Sequence, residues 1–169
     1  MVLPLRPRRG AFLRPFHTGH FIKDFLMGSA PFGSPSINPQ TGAPQSDIFH
    51  YYKMARLEFT VMDRAARQEE RQAKRQRRPI SPDNIERIAE RMRKRIPWKS
   101  SGARYHSFVT YFSNLQRLGW VEKSGVEERS TLQDHYPEGQ PRKFYRLTGE
   151  GIAAPEAAWA DPYAALYGR

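Results

Sequence analysis

The chain predicts a mainly helical fold with one small β-hairpin, in the α+β class. Three segments, 47–78, 82–96 and 103–118, carry apolar side chains at steps of three and four, the spacing of one buried helical stripe. After Gly119 the period drops to two, in "WVEKS" from Trp120 and again in "KFYRLT" from Lys143, as half-buried strands require. Proline and glycine crowd the chain ahead of these elements and return in the tail behind them.

Residues 1–46 form an arm in this reading. Prolines at 4, 7, 15, 31, 35, 39 and 44 and glycines at 10, 19, 28, 33 and 42 forbid a long helix or a regular strand. Only "HFIKDFLMGS", residues 20–29, is expected to make a turn or two of helix, ending at Gly28. The arm also carries Phe12, Phe16, Phe21, Phe25 and Phe32 beside its arginines. A solvated linker has little use for so many aromatics, so the arm is expected to order against its own domain or a partner. The alternative is a disordered tail.

The body follows, over 47–151. Asp47 is the expected N-cap of a long helix reaching 78, with Ile48, Tyr51 or Tyr52, Ala55, Phe59, Met62 and Ala66 on its apolar stripe. Beyond Ala66 the stripe gives way to "RQEERQAKRQRR", a net-positive run. "SPDN" at 81–84 starts the second helix: Ser81 can accept from an orphan amide, Pro82 suits the first helical position, and Asp83 suits the positive end of the dipole. Ile85, Ile88, Ala89, Met92 and Ile96 form its buried face, and Pro97 ends it. In the third helix Phe108, Phe112 and Leu115 lie inward. Arg104, Ser107, Thr110, Tyr111, Asn114 and Arg117 lie outward.

Gly119 stops that helix, and two antiparallel strands within 120–149 follow, joined by a loop of about seventeen residues, "GVEERSTLQDHYPEGQPR". A hairpin tip of that length tends to be functional. Three helices followed by a long-tipped hairpin is the order of a winged helix-turn-helix. The hairpin is then the wing and the third helix the one that enters a groove. Residues 152–169, "IAAPEAAWADPYAALYGR", form a tail that looks like a docking peptide.

The stretch "LQRLGWVEKSG…PRKFYRLTGEG" resembles winged-helix transcription regulators of the PadR and MarR groups, over about 85–151. In those families a helix ending in L-x-x-x-G runs into a strand and a wing. The second wing strand closes in Y-x-L-T-x-x-G, matched here by Tyr145, Leu147, Thr148 and Gly151. The resemblance implies the fold; winged helices also serve as protein-docking modules. The sequence departs from the pattern in two ways. The wing loop is longer and mixes Glu127, Glu128, Asp134 and Glu138 with Arg129, His135 and Arg142. No long dimerisation helix follows Gly151.

Net charge and absent chemistry narrow the function. A formal charge of +11 and a pI near 10.3 favour a polyanionic partner. There is no cysteine, so disulfides, thiolate metal sites and thiol nucleophiles are excluded. No run is apolar enough for a secretory signal or a membrane span, and the expectation is an intracellular protein, cytoplasmic or nucleoid-associated. His17 and His20 are three apart but lack further ligands, so no metal site is expected. No phosphate-binding glycine loop, nucleophile elbow or paired carboxylate motif is present, and neither an enzyme nor a cofactor is expected.

The leading expectation is a nucleic-acid-binding protein that favours double-stranded DNA over RNA, as a regulator or DNA-processing accessory factor. Arg104, Ser107, Tyr111 and Asn114 would face the groove. Lys99, Ser100, Arg117, Lys123 and Arg142 would contact phosphates. Arg71, Lys74, Arg75, Arg77 and Arg78, with Arg6, Arg8, Arg9 and Arg14 of the arm, would add sequence-independent affinity. A homodimer through the long helix 47–78 is compatible with the sequence but not required by it. The rival expectation is a structural or adapter subunit of a large nucleoprotein or viral assembly. There the winged helix would be a docking body, and the arm and tail would thread along protein partners.

Overall fold

The computed structural model describes residues 17–29, 35–129 and 141–168. The fold is mainly helical with a small three-stranded antiparallel sheet. Helix α1, Thr18–Leu26, is capped by the His17 ring, whose Nδ1 accepts from the Gly19 amide at 3.3 Å. It buries Phe21, Ile22, Phe25 and Leu26 completely or nearly so. The predicted turn of helix at 20–29 is therefore a core element of the protein.

A strand that the sequence reading left out comes next. Strand β1, Ala43–Pro44, pairs antiparallel with the second strand of the hairpin, Ala43 opposite Tyr145 and Pro44 opposite Phe144. Proline is tolerated because β1 is an edge strand of the sheet. Gly42 makes the approach feasible: its φ is +73°, and a Cβ there would overlap the Tyr145 carbonyl.

Helix α2 spans Gln45–Arg75, 31 residues and so about 46 Å long. Pro44 is its N-cap, and Asp47 sits inside the first turn instead of capping it. The helix ends at Gln76, with Arg77 in the left-handed region at φ 49°. Helix α3, Pro82–Arg93, folds back along its second half, started by Ser81 as expected: the Ser81 hydroxyl accepts from the Asn84 amide at 3.3 Å. A 3₁₀ turn, Trp98–Ser101, leads through Gly102 (φ 66°) into helix α4, Tyr105–Arg117.

The hairpin strands are β2, Val121–Arg129, and β3, Pro141–Leu147, and the sheet order is β1-β3-β2. Much of the expected loop is strand. Glu127 pairs with Lys143, Glu128 with Arg142 and Arg129 with Pro141. The register slips between Lys123 and Glu127, where Gly125 takes φ +89°. That bulge breaks the alternation that strand reading relies on, which is why the segment looks irregular in sequence.

Two hydrophobic cores result. The principal one joins α1, the first half of α2 (Ile48, Phe49, Tyr52, Ala55), α4 (Phe108, Phe112, Leu115) and the sheet (Trp120, Val121, Tyr145, Leu147). The second is smaller and lies between the distal half of α2 (Val61, Ala65, Ala66) and α3 (Ile85, Ile88, Ala89). The tail forms three short helices, α5 (Gly149–Ala153), α6 (Glu156–Ala160) and α7 (Pro162–Tyr167). Trp159 on α6 is 0% exposed, donates from Nε1 to the Gly151 carbonyl at 2.9 Å and packs on Trp120 with ring centroids 5.0 Å apart. Segments 1–46 and 152–169, separated from the body by the sequence reading, thus both supply side chains to the principal core.

Candidate nucleic-acid interface

Helix α4 stands on the principal core with Phe108, Phe112 and Leu115 inward, so its other side chains are displayed around the remaining arc. The arc is not uniform. At its N-terminal end Arg104, His106, Ser107 and Thr110 are exposed. Toward the C-terminus the tail lies alongside: α7 packs against α4, and Arg117 Nη1 sits 3.4 Å from the Tyr167 hydroxyl.

This splits the expected groove face. Arg104 and Ser107 are open to solvent, whereas Asn114 is half-buried. Tyr111 departs from expectation altogether. Its hydroxyl donates to the Trp159 carbonyl at 2.6 Å, and burial pushes the phenol well above its ordinary pKa. A neutral phenol donating inward is a strut between α4 and α6, not a reader of base edges. Its amphipathic chemistry is the same in both roles, so its position on the helix could not distinguish them.

The expected phosphate contacts divide in the same way. Lys99, Arg117 and Lys123 are exposed and Ser100 is half-buried at the turn before α4. Arg142 is a correction. It is 6% exposed, and its guanidinium pairs with Asp47 of α2 and Glu128 of β2. A cation between two carboxylates is neutralised internally and unavailable to a phosphate.

In the basic segment Arg71, Lys74, Arg75 and Arg77 are exposed around the end of α2. Arg78 is another correction, because it is bound to the buried carboxylate of Glu69, with Nη2 to Oε2 at 3.2 Å. The Ser81 amide donates to the same carboxylate at 3.0 Å. The Arg78 hydrogen bond, ahead of the other contributions, holds the Glu69 carboxyl at about 2. This pair locks the α2–α3 turn. The arm arginines Arg6, Arg8, Arg9 and Arg14, and Asp134, His135 and Glu138 between the two hairpin strands, lie outside the described residues.

Two further basic features stand out, one along the chain and one from the packing. The first is the stretch around α4: no Asp or Glu occurs between Glu90 and Glu122, so the 3₁₀ turn and all of α4 are free of acidic side chains. The second is a groove of about 360 Å³ along the α2–α3 hairpin, where Arg64, Arg91 and Arg95 rim a floor of Ile88, Met92 and Ile96. Arg93, on another face of α3, is tied up: it bonds Glu58 of α2 at 3.0 Å and Glu86 at 2.8 Å, and the Glu58 hydrogen bond leads in raising its pKa. Among the described residues no cluster of His, Asp or Glu could hold a metal ion, and no helix is long and apolar enough to cross a membrane. Compared with known protein families, with curated proteins and with solved structures, the chain matches none.

Proposed function

We propose that the chain is a nucleic-acid-binding protein of the winged-helix type that takes double-stranded DNA against the N-terminal half of α4. The observation that carries the reading is the exposed, acid-free head of that helix, with Arg104, Ser107, His106 and Thr110 side by side. A groove-entering helix uses its N-terminal residues on base edges, and guanidinium and hydroxyl groups are suited to that contact. Lys99 and Lys123 flank the helix and would position phosphates.

The element order supports the fold assignment. Helix α1, strand β1, the first half of α2, helix α4 and the β2–β3 hairpin share one core, with sheet order β1-β3-β2. On this reading α4 is the third helix of the winged unit. The distal half of α2 and α3, with a core of their own, are a helical hairpin inserted between its second and third helices. The PadR and MarR likeness is part of the proposal, and so is a role as regulator or DNA-processing accessory factor inside the cell.

A second reading, an adapter subunit in a nucleoprotein assembly, draws on the tail. Tyr163 and Tyr167 lie with ring centroids 4.6 Å apart, tilted by 48°, and are 64% and 58% exposed, an aromatic pair that a protein partner could cover.

Fluorescence anisotropy of the full chain on a random-sequence duplex separates the two. With six to ten phosphate contacts, affinity should fall roughly 10³- to 10⁵-fold between about 50 and 200 mM salt. Arg104→Ala should weaken the preferred duplex by about 1–3 kcal/mol, while Tyr163→Ala with Tyr167→Ala should leave duplex binding intact. Salt-insensitive binding, or an Arg104→Ala protein that binds as the wild type does, overturns the DNA reading.

A further inference from the structure

Of the three tryptophans, Trp120 and Trp159 are 8% and 0% exposed, but Trp98 is 51% exposed. A half-exposed indole offers a partner a large apolar face with a polar edge. The ring sits on a backbone that is held in place. It stands on the 3₁₀ turn just before α4, and Arg56 of α2 clamps that turn with Nε donating to the Ser101 carbonyl at 2.8 Å. Arg56 is itself fixed, with Nη1 3.0 Å from the Tyr52 hydroxyl and the guanidinium 5.6 Å from the Tyr52 ring centroid. Ser101 is 3% exposed, and its hydroxyl accepts from the Ala103 amide at 3.2 Å.

The surroundings are cationic. Lys53 Nζ lies 5.2 Å from the Trp98 centroid and 5.5 Å from that of Phe49, and the His50 ring is 6.0 Å away. Lys99 follows in the chain and is exposed, and the nearest acidic residue further along α2, Glu58, is engaged by Arg93. A half-open indole on a clamped turn, with Lys53 Nζ over the ring and the exposed Lys99 next to it in the chain, matches a nucleobase on its phosphodiester backbone: the base stacks on the open part of the ring and the phosphates meet the ammonium groups.

We propose that Trp98 is a stacking platform for an unpaired nucleobase, with Lys53 and Lys99 neutralising the adjacent phosphates. The inference rests on the reading that the chain binds nucleic acid, and it specifies the substrate: a junction at which duplex lies along α4 and one strand leaves the stack at Trp98.

The test uses the full chain, because Trp98 is its one solvent-facing tryptophan and reports directly. Intrinsic fluorescence and labelled-DNA anisotropy are followed against a blunt duplex, the same duplex with a single-stranded thymidine tail, and anionic phosphatidylserine vesicles. The tailed duplex should quench the emission and the blunt one should not. Trp98→Ala should abolish the quenching and weaken the tailed duplex about 5- to 150-fold, with blunt-duplex binding changed less than about twofold. Trp98→Phe should recover most of the affinity. Blunt-duplex binding with no effect of Trp98→Ala on the tailed duplex overturns this inference alone. Quenching by the tailed duplex without any blunt-duplex binding overturns the duplex reading and keeps the platform. A spectral shift with vesicles, with neither quenching nor an anisotropy rise on either DNA, assigns the ring to a membrane surface and overturns both.

Discussion

Thr148 holds two ends of the fold with one hydroxyl. It donates to the Gly119 carbonyl, where α4 ends, and accepts from the Gly151 amide at 3.1 Å, where α5 begins. The Y-x-L-T-x-x-G motif therefore has a physical content. Tyr145 and Leu147 point into the core, Thr148 ties hairpin to helix, and Gly151 lies against the Trp120 backbone, where a Cβ would collide with the carbonyl. Thr148→Val should cost about 1–2 kcal/mol, read as a shift in denaturant midpoint without a change in slope. Glu69 gives a pH-dependent counterpart. Its folded pKa, about 2, lies below the ordinary glutamate value, so its contribution is complete above about pH 4.5 and disappears as pH falls toward 2. Glu69→Gln should lower stability at neutral pH and flatten the acid limb of the stability curve. An acid limb as steep as that of the wild type would refute the assignment. Nothing in "RQEERQ" marks Glu69 as buried and Glu70 as different, because burial here depends on α3 folding back over one face of α2.

At the scale of elements, the tail is the feature that composition misrepresents. Its prolines and aromatics look like a docking peptide for a partner, yet Trp159 fills the space between Trp120 and α1, and the Tyr111 hydroxyl closes on its carbonyl. Trp159→Ala should destabilise the protein by about 3–5 kcal/mol, measurable by urea unfolding. A loss below about 1 kcal/mol would mean that α6 is a detachable appendage. The same packing leaves the head of α4 free and half-covers Asn114 farther along, so Asn114→Ala should affect DNA affinity less than Arg104→Ala does. Helix α4 itself was legible from its inward stripe of Phe108, Phe112 and Leu115. Its usable face was not, since the stripe says which side is buried by the body and nothing about what the tail adds.

On the scale of the whole molecule, the division into two cores should be visible in dynamics. The principal core gathers aromatics from α1, α2, α4, β3 and α6, with Phe112 and Tyr145 edge to face at 5.0 Å and Phe49 and Phe108 tilted at 5.2 Å. The distal core is built of small aliphatic residues and alanines. Amides of the α2–α3 hairpin, around 61–73 and 85–92, should therefore exchange through sub-global openings at lower free energy than those around 48–55 and 108–115. Uniform protection across both groups would show a single cooperative unit.

Local periodicity, caps and breakers settle at short range, and these were readable. The three long helices, the Ser81 cap, the Gly119 stop and the alternation of β3 all follow from side chains that act on their own backbone or on one face of it. Partnership settles at long range. That Ala43–Pro44 is an edge strand, that α1 and Trp159 complete the core, that Arg142 and Arg78 are consumed by Asp47, Glu128 and Glu69, and that Trp98 is left half in water are facts about pairs of residues far apart in the chain. A cation carries the same charge whether it faces a phosphate or a carboxylate, and an aromatic is equally apolar in a core or on a platform. Which of these occurs depends on the distance to the nearest partner, and that distance exists only once the chain is folded.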